Sequence, residues 1–169
     1  GYVGPFVASA LGQPAGPLYW AALVLKVIGD GVFQVRFAMA LLGIATIPLT
    51  YLAARVMFDS RRMALLSALV LAVMQWHLIY SRTAFNAVSW PLLEMITVLC
   101  LFLALKLRNP WWFASAGLAL GLGIYTTNVY PVFIVGIVIF VALQMLQARP
   151  SRRGVMATGI AIMAVCTLI

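Results

Sequence analysis

Acidic residues are nearly absent: Asp30, Asp59 and Glu94 are the three among 169 residues. With them go the paired carboxylates of general acid and base chemistry, and no Ser/His/Asp set can be assembled around the single histidine, His77. Cysteine is scarce too. Cys100 and Cys166 both sit in apolar runs, where a thiol behaves as a small hydrophobe, so they give no metal-ligand spacing and say nothing about redox compartment. Charge of any sign makes up only 8% of the chain, against 65% hydrophobic residues and a mean hydropathy of +1.10. A water-soluble domain carries roughly a quarter charged residues, so a soluble fold is excluded and the bilayer is the solvent to reason with.

What charge there is runs basic, with 11 Lys and Arg, a formal net charge of +8 and a pI near 10.2. These residues stand singly or in pairs between apolar runs rather than clustering on one stripe. That pattern sets membrane orientation and speaks against nucleic acid as a partner.

Apolar runs predict an all-α, polytopic transmembrane domain of about five spans behind an N-terminal interfacial helix. The runs are Phe37 to Ala54, Met63 to Tyr80, Ala84 to Leu105, Trp111 to Tyr125 and Tyr130 to Leu146, with a final run from Gly154. The last two full runs are parted by TTNVYP, Thr126 to Pro131, whose polar groups and proline turn the chain. Residues 1–169 are expected to form one membrane domain, 1–34 as an extracytoplasmic loop and interfacial helix and 35–169 as the transmembrane helices. Leu18 to Ile28 is too short to span and carries Tyr19 and Trp20 within it, which suits a helix lying in the interface; a buried or re-entrant helix is the alternative. The chain opens at Gly1 without an initiator Met and closes at Ile169 in an apolar stretch, so both ends are expected to be cut from a longer protein.

Alternating loops sort the basic residues. Arg55, Arg61, Arg62, Lys106, Arg108, Arg149, Arg152 and Arg153 fall on one side, and Lys26, Arg36 and Arg82 on the other. The first set marks the cytoplasmic face, which leaves the segment before Arg36 outside.

Ionisable groups at membrane depth are costly, so they are the places to look for chemistry. Glu94 stands mid-span in the third run and is a candidate substrate contact or partner for an arginine; a structural hydrogen bond between helices is the plainer reading. Arg82, in HLIYSRTAFN (His77 to Asn86), places a guanidinium at the outer face, where its planar fork suits a lipid phosphate, although a snorkelling arginine looks the same in sequence. His77, Tyr80 and Asn86 are possible companions, each also an ordinary interfacial anchor. Arg36 reads as a flanking anchor, and Trp111 with Trp112 as an aromatic belt. Gly117, Gly121 and Gly123 suit close helix packing better than a phosphate loop, since no strand precedes them.

The order of these features resembles the bacterial family 39 glycosyltransferases, relatives of protein O-mannosyltransferases and of the aminoarabinose transferase of lipid A. QPAGPLYW (Gln13 to Trp20) resembles the family's HPPLYY-type motif. The stretch Gly29 to Arg82 resembles its G-x-x-x-x-x-x-R first span and the YSR that closes the next. Ala116 to Thr126 resembles the glycine-rich span that follows. The resemblance implies a GT-C fold in the bacterial plasma membrane of a cell envelope, with an extracytoplasmic active side. It implies inverting transfer of a sugar from a polyprenyl-phosphate donor to a lipid, glycan or protein acceptor, with membrane lipids as the other partners. Arg82 matches the family's YSR arginine and takes the donor-phosphate role, with Tyr80 and Ser81 as its companions; Pro14, Pro17 and Tyr19 match the proline motif. The family's general base, an acid in the first outer loop, would fall before Gly1, so no catalytic residue is assigned. Gln13 replaces the family's usual His or Lys, and Thr83 stands where many relatives carry Glu. Those departures leave acceptor class and divalent metal use open, and no cofactor beyond the lipid-phosphate sugar is assigned.

A transporter, or a flippase or polymerase of lipid-linked glycans, is the alternative reading. It would call for repeats and ionisable residues along a path, where Glu94 stands alone.

Overall fold

Local signals set most helix ends in the computed structural model, which describes residues 16–83, 86–147 and 150–168. The elements are α1 (Gly16–Ile28), α2 (Val32–Phe58), α3 (Arg61–Val73), α4 (Gln75–Arg82), a 3-10 turn (Asn86–Val88), α5 (Ser89–Leu107), α6 (Pro110–Ile124), α7 (Tyr130–Gln147) and α8 (Pro150–Leu168). Ser60 caps α3 by accepting from the Met63 amide, and the Asn109 side chain accepts from the Trp111 amide with Pro110 opening α6. Asp59 and Arg108 end α2 and α5 in the left-handed region, at φ 51° and 54°, each returning its N–H to the carbonyl four residues back.

The described residues form an all-α, polytopic membrane domain. α2, α5 and α7 are long and apolar enough to cross a membrane, and α3 with α4 makes a fourth span if the bent pair is counted as one. The first expected span is longer than the hydropathy run: α2 begins at Val32 and takes Arg36 into its second turn. The expected span Met63 to Tyr80 is broken, turning by 55° at Met74, whose backbone is extended (φ −65°, ψ 120°). The third starts only at Ser89, and the fourth is realised as the 15-residue α6, shorter than the roughly 20 residues a span takes. α1, at 13 residues, is also too short to cross, as expected.

The main core joins α5, α6, α7 and α8 through Leu101, Ala104, Phe113, Ala116, Leu120, Tyr130, Ile137 and Met163. A smaller cluster of Ala21, Val24, Ala38, Met39 and Val88 fixes α1 and the 3-10 turn on α2. α6 and α8 approach closely because glycine removes the side chain between them: a Cβ on Gly117 would run into the Met163 backbone. Outward faces are apolar, with Leu65, Leu66, Leu69 and Val70 on α3 and Val132, Val135 and Val138 on α7 all exposed. Such faces belong against lipid.

Asp59 tests the sorting of the basic residues. Its carboxylate lies 3.2 Å from Arg55 and 3.7 Å from Lys106, so the loop after α2 and the end of α5 share one end of the bundle. Arg149 lies outside the described residues.

Candidate functional site

At the opposite end, a cavity of 370 Å³ opens beside the end of α3 and the 3-10 turn, which supply Leu71, Ala87 and Val88. α4 supplies Trp76, His77 and Tyr80, the start of α5 supplies Trp90 and Pro91, and the turn between α6 and α7 supplies Thr127 and Val129. The volume is in the range of small-molecule sites, and aromatic walls with few polar groups are their usual lining.

The wall on α4 depends on the break at Met74. Restarting the helix at Gln75 swings the more polar QWHLIYSR segment against the middle of α2, where Gly43 leaves room for it. His77 is buried there, and its Nε2 lies 3.1 Å from the Gly43 carbonyl oxygen. A carbonyl only accepts, so Nε2 carries the proton. Trp76 and Tyr80, one helical turn apart, set their rings 5.7 Å from each other.

The opposing wall is built on α5. Trp90 donates its indole N–H to the Glu94 carboxylate one turn on. Next to this pair, Tyr130 brings its hydroxyl beside Thr97 and within electrostatic reach of Glu94. Both hydroxyls are buried and neither makes a hydrogen bond of good geometry. Tyr130 opens α7, immediately after the turn that carries Thr127 and Val129. The start of α1 is fastened to the same region, since the Gly16 amide donates to the Tyr125 carbonyl oxygen at 2.9 Å. Further along α1, the Trp20 indole donates to the Ala38 carbonyl oxygen at 2.8 Å.

The residues singled out in the sequence are placed unequally. Tyr80 and His77 line the cavity. Arg82 ends the same helix, exposed, and no ion pair or hydrogen bond among the described residues engages its guanidinium. Ser81 turns the other way, its hydroxyl donating to Leu78 and its Cβ facing Gly43. Glu94 is the sixth residue of α5 rather than mid-span, and it stands behind Trp90 instead of opening on the cavity. Pro17 is buried and Tyr19 is 53% exposed; neither lines the cavity. Gln13 and Pro14 of the proline motif, and the side chain of Asn86, lie outside the described residues. Trp76, Trp90 and Thr127 line the cavity without having stood out in the sequence. An aromatic at each end of a polar break was the available sign for the two tryptophans. Among the described residues no three of His, Cys, Asp and Glu gather to hold a metal ion.

A family model described as dolichyl-phosphate-mannose-protein mannosyltransferase matches residues 12–169. None of the curated proteins and none of the solved structures matches the chain.

Proposed function

Because this chain belongs to the dolichyl-phosphate-mannose-protein mannosyltransferase family, a family of membrane glycosyltransferases, we propose that it takes part in moving a sugar from a polyprenyl-phosphate donor to an acceptor hydroxyl at the extracytoplasmic face. The observation that carries the donor assignment is the position of Arg82. It is an exposed guanidinium at the end of α4, two residues beyond Tyr80 of the aromatic cavity, and no ion pair or hydrogen bond among the described residues engages it. A phosphate at that point accepts two parallel N–H bonds from the guanidinium, which neutralises charge as the sugar departs and the lipid phosphate is released. Tyr80 presents its ring to the same ligand, and Ser81 holds the end of α4 against α2. α1, with Pro17 buried and Tyr19 turned outward, edges the site and is fastened to it through Gly16 and Tyr125.

Inversion at the anomeric carbon follows if the acceptor oxygen attacks from the face opposite the phosphate. That step needs a base to take the hydroxyl proton, and no residue of this chain is assigned the task.

The test is transfer activity in membranes supplied with radiolabelled polyprenyl-phosphate sugars, comparing the wild type with Arg82→Ala at matched protein level. Transfer that collapses in the variant supports the donor role. Undiminished transfer overturns it, and absence of transfer by the wild type from every donor offered moves the reading to a flippase or transporter of lipid-linked glycans.

A further inference from the structure

A carboxylate near the end of an apolar helix needs a reason to be there, since burying it costs free energy unless it is hydrogen-bonded. Glu94 has a specific partner. Its acceptor oxygen takes the indole N–H of Trp90, and the ring of Trp90 is one wall of the aromatic cavity. Glu94 itself does not line that cavity. The carboxylate is thus one bond removed from the ligand space.

The surroundings extend the same arrangement. Thr97 lies close to one turn further along α5, and Tyr130 leads out of the turn whose Thr127 and Val129 form the facing wall. The Glu94 region is therefore the junction at which the α5 wall meets the α6–α7 wall. A large planar ring with two rotatable bonds stays in one orientation only if packing and its N–H bond both hold it. Trp90 packs on the core through its ring and has its N–H tied by Glu94.

Resting on the donor-binding reading above, we propose that Glu94 is a positioning residue: by holding the Trp90 indole, it sets the wall against which the polyprenyl-phosphate donor lies, without touching the donor itself. The role requires an acceptor oxygen at this position, not a negative charge. Glutamine can therefore fill it, while alanine cannot.

Binding of sugar-free, long-chain polyprenyl phosphate to the purified protein in lipid nanodiscs separates the possibilities. Glu94→Ala is expected to weaken binding by about tenfold, the size of one lost hydrogen bond, and Trp90→Phe, which also removes part of the wall, by at least as much. The double variant is expected to be no weaker than Trp90→Phe, because the bond is already absent there. Glu94→Gln is expected to stay within about threefold of the wild type on the same scale. In transfer assays the losses should appear in KM for the donor with kcat held. Effects of Glu94→Ala and Trp90→Phe that multiply, or a Glu94→Gln variant as weak as Glu94→Ala, would overturn the role. If Glu94→Ala does not accumulate in the membrane, Glu94→Leu, which fills similar space without an acceptor, decides together with Glu94→Gln: weakened binding in the first alone supports the proposal, and unchanged binding in the first overturns it. Wild-type protein that binds no polyprenyl phosphate overturns the donor reading and this inference together, whereas wild-type binding that Glu94→Ala leaves unchanged overturns this inference alone.

Discussion

The Nε2 of His77 lies 3.1 Å from the carbonyl oxygen of Gly43, tying α4 to the middle of α2 across 34 residues of sequence. This contact needs a glycine. A Cβ added to Gly43 would come within 2.8 Å of the Cβ of Ser81, an atom that cannot rotate away, so α4 would have to move bodily. Gly43→Val is accordingly expected to cost about 1–3 kcal/mol by overpacking. His77→Ala, which removes only the hydrogen bond and some packing, should cost about 0.5–1.5 kcal/mol for the bond itself. Thermal unfolding in detergent, followed by circular dichroism, checks the order; His77→Ala as damaging as Gly43→Val would mean that the close approach is not the dominant constraint.

Two helical glycines provide an internal comparison. Gly117 meets the backbone of Met163 on α8, while a Cβ on Gly136 of α7 would meet nothing within 4 Å. Gly136→Ala should therefore be neutral or stabilising by up to about 1 kcal/mol, the helix-propensity difference. Gly117→Ala gains the same propensity but forces α6 from α8, and should lower the unfolding midpoint. Equal responses at the two sites would show that α6 and α8 do not pack as described.

These two cases also mark what sequence can and cannot show. The glycine row in Ala116 to Thr126 was readable as a packing face because spacing four on a helix puts residues on one side. The membrane class was readable because solvation by lipid leaves so little room for charge. The break at Met74 was not readable, since neither proline nor glycine stands there; it follows from where His77 and Ser81 meet Gly43, which is a contact between distant segments. Glu94 was found from its cost, but its partner was not: an indole four residues earlier looks like an interfacial anchor until the fold puts a cavity on its other face.

Arg82 distinguishes charge from shape. If the guanidinium grips a phosphate through two N–H groups, Arg82→Lys keeps the charge and loses the fork, so it should bind polyprenyl phosphate more weakly than wild type and more tightly than Arg82→Ala. A decline of about tenfold for lysine, and more for alanine, is the expected scale. Titration of the three proteins in nanodiscs at two ionic strengths checks it. A lysine variant indistinguishable from wild type would reduce Arg82 to a general positive charge at the interface.

Opposite ends of the bundle should be reachable from opposite sides of the membrane. Phe58, exposed beside the Asp59 ion pairs, marks one end, and Asn128, exposed in the α6–α7 turn, marks the other. Neither substitution by cysteine alters a lysine or arginine, so the basic residues that orient the chain are left in place. The wild type serves as background, because Cys100 and Cys166 lie within apolar helices. In intact spheroplasts a membrane-impermeant maleimide should label Asn128→Cys at once and Phe58→Cys only after permeabilisation. The reverse pattern would place the aromatic cavity and Arg82 on the cytoplasmic side and require a donor presented there. Labelling of both from the same side would instead contradict the up-and-down course of α2 through α7 on which the site depends.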